Sequence, residues 1–207
     1  MNVLELFAGS RSIGNVADKL GYNVFSVDVK KFKNINLVKD IEFLTLNDIP
    51  FEPDVIWASP PCTTYSIAAI GHHRDMGKPK TEFAAKSDRL VLNTLKLIKQ
   101  ANCKYFIENP RGYLRKMYFM LGIPKATVWY CRYGDKRAKP TDIWSNHIYS
   151  LFNTKGWHPR SECFNGNKKC HHESAPRGSK TGTQGLKGNY ERSKVPYELC
   201  KEILLSI

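Results

Sequence analysis

Two side chains stand where this sequence could do chemistry. Cys62 follows two prolines in Val55–Ser66, VIWASPPCTTYS, just past the end of an apolar run instead of inside it. Pro60 and Pro61 fix φ and stiffen the loop, so a thiol there is held in place. As a thiolate it would be a nucleophile, provided its pKa falls. Glu108 closes a second apolar run, KYFIENP, as a proton donor or hydrogen-bond partner for a bound ring. Arg111, Arg132 and Arg137 are the nearby cations that could offset developing charge.

A third group of residues suggests what binds beside them. In LELFAGSRSIG, Gly9 and Gly14 follow an apolar run and open a helical pattern, which lets backbone approach a ligand. The spacing is not G-x-G-x-x-G, so a nicotinamide dinucleotide is not indicated. Asp28 ends the next apolar run roughly twenty residues on, where a carboxylate can accept both ribose hydroxyls of an adenosine. Asp40 follows the third run, within reach of an adenine amino group. Singly, the glycines suit a tight turn and the acids a solvated loop; in this order they favour a nucleoside site.

Strands must carry these residues to one edge. NVLELF (Asn2–Phe7), NVFSVD (Asn23–Asp28), a weaker INLVKD, DVIWAS (Asp54–Ser59), KYFIEN (Lys104–Asn109) and ATVWYCRYG (Ala126–Gly134) read as six strands, and TDIWS (Thr141–Ser145) as one returning antiparallel. Helices are expected over Ser10–Tyr22 with Gly21 as its stop, over Asp88–Ala101, and from Pro196 to Ile207. Strands alternating with helices imply an α/β fold with a doubly wound, mostly parallel sheet, whose ligands sit at the carboxyl ends of the strands. The organisation expected is a catalytic α/β domain over 1–145, a small irregular basic insert over 146–187, and a C-terminal helical segment over 188–207 that packs back.

The net charge of +13 is uneven, +2 over residues 1–100 and +11 over 101–207. That asymmetry points to a polyanion partner for the second half. The apolar start is too short and lacks the basic leader of a signal peptide, and no run approaches the roughly 20 residues of a membrane helix. An intracellular protein with six reduced cysteines and no membrane contact is the expectation.

The motifs FAGSRSIG, VDV, SPPCTTYS, FIENP and GNYERSKVPYEL occur in the order of those of the cytosine-5 DNA methyltransferase family. The chain resembles a small, phage-type member over most of 1–145 and the last 20 residues. The resemblance implies a Rossmann-like sheet of the S-adenosylmethionine-dependent type, S-adenosyl-L-methionine as cofactor and DNA as partner. It further implies a monomer in the cytoplasm of a bacterial or phage-infected cell. It makes Cys62 the nucleophile that adds to cytosine C6, and Glu108 the group that bonds N3 and the exocyclic amine of a flipped-out base. It assigns Phe7, Ala8, Gly9, Ser10 and Gly14 to the methionine and ribose part of the cofactor, and Asp28 and Val29 to ribose and adenine. Asp40 and Ile41 would flank the adenine amine, Ser59 and Pro60 would floor the pocket, and Asn189 is carried over from the last motif. Three departures stand out. Pro110 replaces the usual valine after Glu-Asn, the Gln-x-Arg-x-Arg element is reduced to CRYGDKRAKPTDIW with Arg137 as its remnant, and the recognition region is short. Methylation of RNA, or DNA binding without catalysis, are the alternatives. Amino-group transfer is disfavoured, because Cys62 takes the aromatic place of those enzymes.

The loop Thr63–Phe83 resembles the family's mobile loop over DNA, with Arg74 toward the nucleic acid. In the insert, Arg160, Lys168, Lys169, Arg177 and Lys180 are expected on phosphates. Trp157 and Phe164 suit a small local core better than base stacking. Cys163, Cys170, His171 and His172, with His158, are zinc-capable, but Cys-x6-Cys is not a usual knuckle, so a plain basic loop is expected and no metal.

Overall fold

The computed structural model of the chain describes residues 1–173, 186 and 188–207. In chain order its elements are β1 (Asn2–Leu6), α1 (Ser12–Lys19), β2 (Asn23–Asp28), β3 (Leu37–Val38), β4 (Val55–Ala58), α2 (Ile70–His73), β5 (Arg74–Asp75), β6 (Lys78–Pro79), α3 (Glu82–Ala101), β7 (Lys104–Pro110), β8 (Lys125–Trp129), β9 (Pro140–Ser145), α4 (Asn189–Ser193) and α5 (Tyr197–Leu205), with short 3₁₀ turns between them. The main sheet has the order β3-β2-β1-β4-β7-β9-β8. β1 to β4 and β7 run parallel, and β9 runs antiparallel to both β7 and β8. This is the Rossmann-like α/β architecture expected, with the antiparallel return in place.

The central strands are apolar on both sides because both faces are covered. β4, VIWA, is buried throughout. On one face Val3, Val55, Trp57, Phe106 and Ile143 meet Ile13, Val16 and Ala17 of α1 and Leu199, Ile203 and Leu204 of α5. On the other, Leu4, Leu6, Ile56, Ile107 and Trp144 meet Leu90, Val91, Leu97 and Ile98 of α3. Each such aliphatic or aromatic side chain contributes about 1.5–3 kcal/mol on burial. α3 begins six residues before the expected Asp88: Thr81 caps it by accepting from Ala84 N, and its first turns bury only Ala84 and Ser87. At its far end Asn102 adopts φ 48° and stops it. β8 is shorter than expected, since the chain turns into a 3₁₀ segment over Tyr130–Tyr133. Pro110 is the last residue of β7, one beyond the expected end at Asn109; it pairs with Thr141, and Arg111 N donates to Pro140 O at 2.9 Å. The first part of the insert folds onto the sheet, with Trp157 2% exposed in the α1/α5 face. Among the described residues, no helix is long and apolar enough to cross a membrane.

Candidate active site

The chain leaves β1 toward β2 and leaves β4 toward β7, so the ends of β1 and β4 flank the switch point where open α/β sheets hold their ligands. Two loops wall this crevice. In the first, Phe7 (φ 57°), Gly9 (φ 42°) and Arg11 (φ 51°) all adopt the left-handed region. For Phe7 and Arg11 this costs of order 1–3 kcal/mol each and persists only where the surroundings enforce it. Gly9 N donates to Asp28 Oδ2 at 3.0 Å, and Lys30 N donates to Asp28 Oδ1 at 2.8 Å. The carboxylate that closes β2 is thereby fixed against the turn that closes β1. Beside it Val29 is 57% exposed, an apolar plate next to an acceptor. Ala8 is buried in the turn, and Ser10 Oγ shares a hydrogen bond with Ser12 Oγ.

Gly14 sits below this wall, not on it. It is buried, its N–H donates to Glu5 Oε1 at 3.1 Å, and a Cβ there would lie 2.5 Å from Glu5 Oε2. Glu5 is 2% exposed, and burial pushes its carboxyl up to about 7 against the opposing pull of Ser26, Gly14 and Arg11. Arg11 in turn donates to Ser26 Oγ and Asp18 Oδ2, both at 3.0 Å. Nothing in the motif spacing signalled this buried Glu5–Arg11 floor; a lone acid inside an apolar strand was the available clue.

Asp40 caps the turn Ile41–Phe43 through Glu42 N and accepts from Lys86 Nζ at 2.6 Å. Although burial works the other way, the bonds from Lys86 and Glu42 N hold its carboxyl below the usual range. The expectation for Ile41 is corrected in one respect: its side chain is 1% exposed and belongs to the core.

The second wall is Ser59–Cys62. Ser59 Oγ accepts from Trp57 Nε1 at 2.9 Å. Pro60 O accepts from Asn109 Nδ2 at 2.9 Å in a buried bond. That bond ties the loop carrying Cys62 to the strand end carrying Glu108, since β4 and β7 are neighbours in register at Ala58↔Ile107. Glu108 is 4% exposed and accepts from Tyr130 OH at 2.8 Å, with Lys139 Nζ 4.0 Å from the same oxygen. Lys139 lies 4.7 Å over the Tyr130 ring and donates to Arg192 O at 3.3 Å. Burial raises the Cys62 thiol; Lys139 pulls it down, and Glu108 pushes it up. Burial lowers the Lys139 ammonium, while Glu108 and Cys62 raise it. A thiol, a carboxylate, a phenol and a buried cation therefore share one electrostatic environment, the composition a nucleophilic site needs. Tyr130 and Lys139 were missed by sequence reasoning, because a tyrosine in a β-like run and a lysine in a basic run carry no distinguishing signal.

Other expectations are corrected. Arg137 is 6% exposed and engaged by Asp135, Arg192 O and Lys194 O, with its guanidinium 5.5 Å over the Tyr130 ring, so it braces the residue that holds Glu108. Arg74 is 3% exposed, bonded to Asp88 at 2.7 and 3.0 Å and to Thr64 O, which makes it a buried anchor and no DNA contact. Arg160 pairs with Glu202 and lies 4.8 Å over the Tyr133 ring, joining the insert to α5. Lys168 and Lys169 are exposed. Arg177 and Lys180 lie outside the described residues, as does the side chain of Asn189. Cys163 and Cys170 gather with Cys131 and His172, whereas His171 Nε2 lies 3.1 Å from Asp135 O.

Residues 1–117 match the model of the family described as C-5 cytosine-specific DNA methylase. A relative from Frog virus 3 (isolate Goorha), "Probable DNA (cytosine-5)-methyltransferase", is 31% identical over 155 residues, 70% of this chain and 71% of the relative. A solved structure described as a DNA modification methyltransferase encoded within an E. coli prophage aligns at TM-score 0.53 and 13% identity, covering 80% of this chain and 52% of that one. The S. pombe Dnmt2 methyltransferase aligns at TM-score 0.48 and 15% identity, covering 78% of this chain and 57% of its own. The chain thus spans little more than half the length of these solved structures.

Proposed function

The chain belongs to the C-5 cytosine-specific DNA methylase family, and on that premise we propose that it methylates C5 of cytosine in DNA through a covalent Cys62 adduct. The observation that carries this reading is the Asn109–Pro60 bond, which locks the Cys62 loop to the end of β7 where Glu108 sits. S-adenosyl-L-methionine, when bound, supplies an electrophilic methyl group. The residues of the first wall fit it: Asp28 offers acceptor oxygens for ribose, Val29 an exposed apolar face for adenine, and Phe7–Gly9 a tight backbone turn for the methionine end.

The Cys62 sulfur forms a bond to C6 of the flipped-out base, and the C5–C6 π electrons move to C5 and the ring. Glu108 steadies that ring at N3 and the exocyclic amine, and Tyr130 fixes the carboxyl by donating to Oε1. Lys139 favours the thiolate against the burial that opposes it. Once C5 carries the methyl group, a base removes the C5 proton, the C5–C6 double bond re-forms, and the thiolate departs. In this reading Lys168 and Lys169, exposed on the insert, meet the phosphates.

Incubation of DNA with tritiated S-adenosylmethionine tests this. Radiolabel should appear as 5-methylcytosine, vanish in Cys62→Ser, and give a trapped complex on 5-fluorocytosine DNA only with Cys62 present. Cofactor binding without label on any cytosine-containing DNA would defeat the proposal, and label on RNA alone would move it to the other nucleic acid.

A further inference from the structure

We propose that Cys131, Cys163, Cys170 and His172 bind one zinc ion that fastens the basic insert to the catalytic edge. Their four donor atoms lie within 4.8 Å of one another. Tetrahedral zinc–thiolate and zinc–imidazole bonds place sulfurs roughly 3.8 Å apart and sulfur and nitrogen roughly 3.6 Å apart. Cys163 Sγ and His172 Nδ1 are 3.9 Å apart, so the set closes on an ion with movements of well under a bond length.

Three further observations point the same way. The His172 ring is 7% exposed; among the described residues its Nε2 has no hydrogen-bond partner, and its Nδ1 lies 3.9 Å from the Cys163 sulfur. A buried neutral imidazole turned into a thiol cluster is set as a metal ligand. Asn167 Nδ2 points at Cys163 Sγ from 3.5 Å, the amide-to-sulfur contact that orients a metal thiolate. Finally, residues 158–172 contain no helix or strand, and among the described residues the local apolar cluster is Trp129, Cys131, Ala138 and Cys163 with Cys170 against it. So small a core does not order a segment by itself; a metal does.

Three thiolates and an imidazole leave no open position and are soft, so the ion is zinc in a closed, structural site. Its place gives it a role. Cys131 directly follows Tyr130, which holds Glu108, and the other three ligands belong to the segment carrying Lys168 and Lys169. The ion joins the catalytic edge to the part of the chain that presents basic side chains.

The full chain, purified under reducing conditions without chelator and dialysed against zinc, should contain one equivalent by plasma mass spectrometry. Cobalt(II) in its place should give tetrahedral ligand-field bands with sulfur-to-metal charge transfer. Cys163→Ser and His172→Ala should fall below about 0.1 equivalent. His172→Cys should keep a full equivalent with an altered cobalt spectrum, and Cys103→Ser should be unchanged, which separates ligand loss from misfolding. Zinc retained by both Cys163→Ser and His172→Ala, a folded wild-type chain that takes up none, or a disulfide among the three cysteines would overturn the assignment.

Discussion

Glu5→Gln should stabilise the protein above neutral pH and leave it unchanged in mild acid. The carboxyl lies between β1 and α1, 2% exposed, with Gly14 N–H on one oxygen and Ser26 Oγ on the other. Burial raises it from 4.5 to about 7. A raised folded-state pKa means that the native state prefers the protonated acid. The stability so gained is complete below about pH 4.5 and is lost as pH climbs through about 7. At roughly 1.4 kcal/mol per pH unit, the gap is about 3 kcal/mol, a ceiling for a group this buried. Glutamine has nearly the shape of the protonated acid, keeps an acceptor for Gly14, sets an amide N–H against the Ser26 hydroxyl that donates to the wild-type carboxyl, and never ionises. Urea unfolding of both proteins should agree within about 0.5 kcal/mol at pH 4.5 and differ by about 2–3 kcal/mol at pH 8, with the variant more stable. An equal difference at both pH values, or a variant less stable at pH 8, would refute the reasoning and mean that Arg11 keeps Glu5 ionised.

Three other outcomes follow from the same geometry. Tyr130→Phe removes a buried bond to a carboxylate, worth about 1.5–3 kcal/mol, and should lower kcat by about ten- to a hundredfold and the melting temperature by several degrees. Lys139→Met removes the group that lowers the Cys62 thiol, so the thiolate limb of the pH–rate profile should move to higher pH; an unmoved limb would exclude Lys139 from that task. Arg74→Met leaves Asp88 without its cation and should cost about 3–5 kcal/mol in urea unfolding. A variant of unchanged stability but weaker, less salt-dependent DNA binding would instead restore Arg74 to the nucleic-acid surface.

The sheet was legible because its strands are short apolar runs ended by Gly, Pro or Asp, and β2 begins and ends at the residues expected. The start of α3 was not, since its first two turns bury alanine and serine, which carry no apolar periodicity. Cys62 and Glu108 could be paired from sequence, as adjacent parallel strands end at one edge. What surrounds them could not. Lys139 lies in DKRAKP, a run that reads as solvated surface, and only the antiparallel return of β9 buries it. The cysteine cluster was legible in part: Cys163, Cys170 and both adjacent histidines are zinc-capable in the sequence, but Cys131 precedes them by a long stretch of chain, and only the fold shows that the second histidine turns inward.

The hairpin of β5 and β6 beside the Cys62 loop has a two-residue turn, Met76 and Gly77, both at positive φ as tight hairpins require. Its root is nailed down by Arg74 beneath Thr64 and Asp88. The same guanidinium donates to Gly77 O at 3.2 Å, so it holds the turn as well as the root. The result is a short stiff finger tipped by the Met76 thioether, which is 95% exposed. Such a finger forfeits reach, but little chain entropy is lost each time it engages.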